Sequence, residues 1–201
     1  MKSAVGNLHE YFVFDRRTRL LASNFGKLLP NGASVLDVGC GDGTIDALIM
    51  QNRPDVLIRG LDVLVRPTTK IPVDKFDGNT LPFADKSFDV VMFVDVLHHT
   101  DNQIKLLSEA KRVARKLILL KDHTMNGILA HSTLRLMDWV GNAHHSVALP
   151  YNYWPEQRWR EALSQLRIPI KRRDSYLNLY PFPASLVFQR HLHFLAALGA
   201  E

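Results

Sequence analysis

Along the chain, short, mostly apolar runs alternate with stretches in which apolar residues recur every third or fourth position. The runs lie at residues 34–38, 56–61, 71–76, 88–94 and 117–120. Runs this short and mostly apolar, without strict polar alternation, predict strands buried on both faces, as in a parallel sheet. Residues 9–29 carry Leu20, Leu21, Phe25, Leu28 and Leu29 at helical spacing and stop at Pro30-Asn31-Gly32. This predicts an N-terminal helix within residues 1–32. Further helices are predicted at 45–52, at 103–114 behind the capping pair Asp101-Asn102, at 126–140, and at 155–166, where Pro155 opens the first turn. Strands and helices in this alternation predict an α/β chain with a doubly wound sheet. Residues 168–176 and 186–193 read as the sixth and seventh strands, with a frayed tail after Leu195. The link at residues 63–70, between strands two and three, contains Pro67 and is too short for the usual crossover helix.

The candidate chemistry concentrates in the loop after the first run. Val35-Leu36-Asp37-Val38-Gly39-Cys40-Gly41-Asp42-Gly43 passes from apolar residues through a carboxylate into three glycines at alternate positions. Glycines permit positive φ and let a ligand approach the main chain. The helix that follows offers its free N–H groups. A dinucleotide loop would follow Gly-x-Gly-x-x-Gly/Ala. Here the third glycine comes one place early, at Gly43, and Thr44 stands at the last position. Asp37 just ahead of the turn suits a cationic ligand better than a pyrophosphate. Asp62 ends the second run, slightly more than about 20 residues beyond the glycines, where a carboxylate can hydrogen-bond ribose hydroxyls.

The stretch from Val35 to Gly43 resembles motif I of the class I S-adenosylmethionine-dependent methyltransferases, in the small-molecule, type 11-like branch. The resemblance covers residues 34–122 by motif and the remainder by the order of elements. It implies a Rossmann-like, seven-stranded, mostly parallel sheet whose last two strands form an antiparallel hairpin. It also implies S-adenosylmethionine as cofactor, with S-adenosylhomocysteine as product. The implied cofactor residues are Asp37, Gly39, Cys40 and Gly41 in the loop, Asp62 and Val63 after strand two, Asp77 and Gly78 after strand three, and Val94 and His98 after strand four. Asp77 matches the residue that accepts a hydrogen bond from the adenine amino group. Asp89, at the start of strand four, matches a structural position.

The acceptor side is less specific. A sulfonium is already an activated electrophile, so the protein supplies alignment and exclusion of water. A base is needed only when the acceptor loses a proton. Of His98, His99, His123, His144 and Tyr151, the expected catalytic residues are His99 and His123, because a neutral imidazole suits pH 7. Residues 124–154 exceed a simple connection and are expected to form an acceptor-side insertion or lid. Tyr11, Arg16 and Arg17 are candidates for contacts from the first helix, set against a plain docking role. No metal is expected, since only Asp122 and Asp95 are at hand as carboxylates.

Composition narrows the setting. The 201 residues, 46% of them apolar, are one domain's worth of core. No apolar run approaches the about 18 residues of a membrane span. The single cysteine, Cys40, excludes an intrachain disulfide. Net charge is +5 without a basic stripe. The densest basic cluster, Lys171-Arg172-Arg173, reads as a solvated strand face. The Asp/Asn-Pro-Pro-Tyr/Phe motif of base and amide nitrogen methylation is absent after strand four, where Asp95-Val96-Leu97-His98 stands. The expected protein is a cytoplasmic methyltransferase, monomer or homodimer, with no membrane or nucleic-acid partner. Its expected acceptor is a small molecule of acidic or phenolic type, methylated at oxygen, carbon or nitrogen. Two alternatives stay open: an RNA or protein acceptor, and a non-catalytic subunit that binds S-adenosylmethionine as a regulator.

Overall fold

A computed structural model describes residues 4–142 and 150–201. The strands are β1 (Ser34–Val38), β2 (Leu57–Asp62), β3 (Val73–Lys75), β4 (Phe88–Val94), β5 (Ala114–His123), β6 (Ile170–Asp174) and β7 (His193–Gly199). The helices are α1 (Ala4–Leu28), α2 (Thr44–Asn52), α3 (Gln103–Val113), α4 (Ala130–Asn142), α5 (Glu156–Gln165) and α6 (Ser185–Phe188). One sheet takes the strand order β3-β2-β1-β4-β5-β7-β6. Strands β1 to β5 pair in parallel, and β7 runs antiparallel to both β5 and β6.

The apolar runs form the centre because successive side chains point to opposite faces and both faces are covered. Val35, Met92 and Leu119 face α1 and α2, where they meet Leu21, Phe25 and Ile49. Leu36, Phe93 and Leu120 face α3 and α5, where they meet Leu107, Ala110 and Trp159. Each fully buried large aliphatic or aromatic side chain contributes about 1.5–3 kcal/mol of transfer free energy. The layering leaves the carboxyl ends of β1, β2, β4 and β5 on one edge, beside the switch point between β1 and β4.

Several elements depart from their expected limits. The region expected as strand seven, residues 186–193, forms α6 and a turn, and the strand begins at His193. The tail expected to fray is β7 itself, buried along its whole length. It sits between two strands, so its backbone groups are paired on both sides. Local turn signals around Pro181 and Pro183 could not reveal that. Helix α4 starts at Ala130 rather than 126, and β5 extends from Ala114 to His123, well beyond the apolar core at 117–120. The 63–72 link between β2 and β3 contains no helix. In the basic cluster Lys171 and Arg172 are exposed on the edge strand, whereas Arg173 lies 3.7 Å over the Phe194 ring and pairs with Glu156.

Candidate functional site: a cleft over the glycine loop and a buried charge network

The glycine loop is shaped by its neighbours. Gly39 has φ +80°, and a Cβ there would come within 2.5 Å of the Val96 side chain. Gly41 has φ +63° and nothing within 4 Å of a Cβ position, so the loop crest faces open space. The Gly41 N–H donates to Asp62 Oδ2 at 2.8 Å, and the Leu64 N–H donates to Asp62 Oδ1 at 2.8 Å. Asp62 is thus fixed against the loop, and each oxygen keeps a lone pair free. Asp77 Oδ1 accepts from the N–H groups of Asn79 and Thr80, both at 2.8 Å. Those donors hold its carboxyl below the usual range. Between these elements lies an open cleft of about 200 Å³, whose walls include Gly39, Asp62, Val63, Asp77, Gly78 and His99.

Beneath the loop, Asp37 is buried and faces Asp46 of the first turn of α2. Two acceptors in contact need a proton between them. Burial raises the Asp37 carboxyl well above its ordinary value, with Asp46 adding to the effect. Burial likewise raises Asp46, to about 6.

Beside the cleft, the ends of β4 and β5 carry a dense buried network. Asp95 follows β4 with φ +58°. Its two oxygens take Arg17 of α1 and Lys121 of β5. Lys121 Nζ also lies 3.2 Å from His193 Nδ1 on β7. His98 Nδ1 is 2.6 Å from Asp122 Oδ1, and its Nε2 is 3.3 Å from Asp138 Oδ2 on α4. Tyr153 donates its hydroxyl to the same Asp138 oxygen. His123 Nδ1 lies 3.5 Å from both Asp95 and Asp122. Arg17, Lys121 and a protonated His98 thus stand against Asp95, Asp122 and Asp138, so the charges cancel.

The network sorts the histidines. Burial would lower His98, but Asp122 and Asp138 outweigh it and raise it to about 10, so it is a cation at neutral pH. Burial and the neighbouring His98 cation lower His99 to about 4. Burial, then Lys121, lowers His123. His99 is therefore the neutral imidazole on the cleft wall, and its Nδ1 is buried without a partner.

A family model described as "Methyltransferase domain" matches residues 8–167. The chain belongs to the class I S-adenosylmethionine-dependent methyltransferases. It is 30% identical over 153 residues to a 2-methyl-6-phytyl-1,4-hydroquinone methyltransferase of Synechocystis, covering 70% of this chain and 42% of that protein. It is 28% identical over 130 residues to a 27-O-demethylrifamycin SV methyltransferase of Amycolatopsis mediterranei, covering 54% of this chain and 47% of the relative. A tRNA (carboxymethyluridine(34)-5-O)-methyltransferase of Schizosaccharomyces pombe is 29% identical over 102 residues, 49% of this chain and 43% of that one. The chain thus spans somewhat under half the length of these relatives. The fold matches that of a Haloferax volcanii putative methyltransferase in complex with the Trm112 activator, with TM-score 0.69 and 18% identity, over 95% of this chain and 92% of the solved chain.

The cleft fits the methyltransferase cofactor, S-adenosylmethionine. The turn at Gly39 and the fixed, half-free carboxylate of Asp62 on its walls are what a ribose and a methionine backbone require. Gly39, Asp62, Val63, Asp77 and Gly78 come together on its walls as the motifs imply. Asp37, Cys40, Gly41, Val94 and His98 are not among the lining residues. The Cys40 sulfur packs against Gly60 of β2, and burial raises its thiol pKa. His98 is 1% exposed and sits within the network rather than on the wall. His99 and His123, expected as a catalytic pair, are separated: only His99 reaches the cleft.

Arg17 docks α1 on Asp95, and Arg16 Nη2 donates to the Asn178 carbonyl at 3.3 Å. The Tyr11 side chain and His144 lie outside the described residues. Tyr151 stacks under Arg135, 4.7 Å from its guanidinium. Two sets, His98-Asp122-His123 and His98-His99-Asp138, have ligand atoms within 4.8 Å of one another. His98 is common to both, and its proton already satisfies the carboxylates on either side. The roles of Asp46, Asp138, Tyr153 and His193 escaped the sequence. Only Asp95 and Lys121, polar residues at the ends of adjacent apolar runs, left a signal there.

Proposed function

We propose that this chain transfers a methyl group from S-adenosylmethionine to the acidic or phenolic hydroxyl of a small molecule held beside His99. The observation that carries this reading is the neutral His99 imidazole on the wall of the cofactor cleft. When bound, the cofactor supplies an electrophilic methyl on a sulfonium, transferred by in-line displacement. The glycine loop and Asp62 orient it, and Asp77 selects the adenine end. His99 accepts the hydroxyl proton as the acceptor oxygen attacks.

We assign residues 1–201 to one methyltransferase unit acting in the cytoplasm. The segment 124–154, of which residues 143–149 lie outside the described residues, would form the acceptor-side lid. Asn152 supports that placement: its N–H donates to the His98 carbonyl at 3.1 Å and its side chain to the Thr100 carbonyl at 2.9 Å. Two of the relatives carry small-molecule acceptors in their names, which is consistent with this reading. The tRNA methyltransferase among them, with the net charge of +5, keeps an RNA acceptor as the second reading.

The test is release of S-adenosylhomocysteine by the purified chain, with panels of phenols, hydroquinones and carboxylic acids, and separately with bulk tRNA. Turnover of phenols or hydroquinones that falls by about 10²–10⁴-fold in His99→Ala is expected for a lost general base, whereas a carboxylate, already ionised, needs none. Turnover with tRNA alone would move the protein to the second reading. Cofactor binding without any release would favour a non-catalytic subunit.

A further inference from the structure

Among the described residues, eight of the fifteen exposed large apolar side chains lie around α4 and α6. On the α4 side, Ile128 is 88% exposed, Leu129 67% and Trp139 59%, with Leu136 and Val140 beside Trp139 on the solvent face of the helix. On the α6 side, Phe182 is 79% exposed and Leu186 65%, with Val187 also open. The two helices lie against one another, and Arg190 Nη2 donates to Thr133 Oγ1 at 2.7 Å across them. A monomeric protein rarely leaves such a set of large apolar side chains in water without a partner.

The charges of the same face identify the partner. From residue 124 to 154 the sequence holds one carboxylate, Asp138, and from 175 to 192 it holds none. Asp138 is buried and bonded to Tyr153. Among the described residues of these two segments, the exposed basic groups are Arg135 and Arg190, with His131 and His191. Apolar and aromatic side chains set among cations, with no exposed carboxylate, match a bilayer surface bearing anionic headgroups. An exposed tryptophan is at home at that depth.

We propose that the α4–α6 face docks this protein on an anionic lipid surface, with Trp139, Leu136 and Phe182 entering the headgroup boundary. This goes beyond the methyl-transfer reading and departs from the sequence expectation of no membrane partner. It does not depend on catalysis. The docking is peripheral: no helix among the described residues is long and apolar enough to cross a membrane.

The test is co-sedimentation of the full chain with vesicles of phosphatidylcholine alone and of phosphatidylcholine with phosphatidylglycerol. Tryptophan quenching by brominated lipid is read alongside. The chain should pellet with the anionic vesicles, release at high salt, and show quenching that Trp139→Phe removes. Leu136→Glu with Leu186→Glu should weaken partitioning by about tenfold or more. Both positions are exposed, so melting temperature and S-adenosylmethionine affinity should stay at wild-type values in that variant. Absence of partitioning into anionic vesicles would overturn the proposal. So would a dimer in sedimentation velocity that the same two substitutions dissolve, since the face would then belong to a second copy. Cofactor affinity and turnover, read separately, report on the methyltransferase assignment whichever way the vesicle result falls.

Discussion

Three residues carry separable predictions. Asp62 is tied to both the glycine loop and the β2 exit, so Asp62→Ala removes the ribose acceptor and loosens the loop. Loss of a charge-assisted hydrogen bond costs about 1.5–3 kcal/mol, so calorimetric titration should show S-adenosylmethionine affinity falling by roughly ten- to a hundredfold. Gly39→Ala places a Cβ against Val96 at φ +80°. That substitution should destabilise the fold by about 1–3 kcal/mol in urea unfolding, the range of backbone strain. Asp46 carries a carboxyl whose folded pKa, about 6, lies above its unfolded value. A raised carboxyl penalises the fold above that pKa and ceases to do so once both states are protonated, below about pH 4. Asp46→Asn should therefore raise the melting temperature at neutral and alkaline pH and leave it nearly unchanged near pH 4.

At the level of elements, Asp95 is the joint. It receives Arg17 from α1 and Lys121 from β5, and its N–H donates to the Lys121 carbonyl at 2.9 Å. Removing its charge strands two buried cations. Asp95→Asn should cost about 3–5 kcal/mol, the range for breaking a buried pair, measured by chemical denaturation. Asp138 plays the same part for α4, holding it to His98 and Tyr153. These joints explain why α1 and α4 sit where they do, although neither helix shows it in its apolar spacing. The same lesson applies to β7. Its apolar residues 194–198 are as legible as those of any other strand, but its place between β5 and β6 is a matter of sheet order, so a terminal position suggested fraying instead.

For the whole molecule, the buried charges set a pH window. His98 has a folded pKa of about 10, above the ordinary histidine value. The stability it contributes is present below about pH 6.5 and is lost as pH rises toward 10. Asp95, Asp122 and Asp138 are held below the usual carboxylate range, Asp95 by Lys121 and Arg17 and the other two chiefly by His98. Their contribution is present above about pH 4 and is lost as pH falls below it. Thermal unfolding across pH should therefore show a maximum in the weakly acidic range. The alkaline decline should be blunted in His98→Gln, which cannot lose that proton.

The sequence by itself determined the five parallel strands, their order of appearance, the glycine loop and the carboxylates at the ends of β2 and β3. These are local features: short apolar runs, glycine positions and fixed offsets along one chain. Tertiary structure alone decided that Asp37 meets Asp46, that His98 is a buried cation while its neighbour His99 is neutral on the cleft wall, and that α4 and α6 present a shared apolar face. Each depends on residues distant in sequence reaching one place. There, burial and the sum of nearby charges set protonation and exposure, and no local pattern encodes that sum.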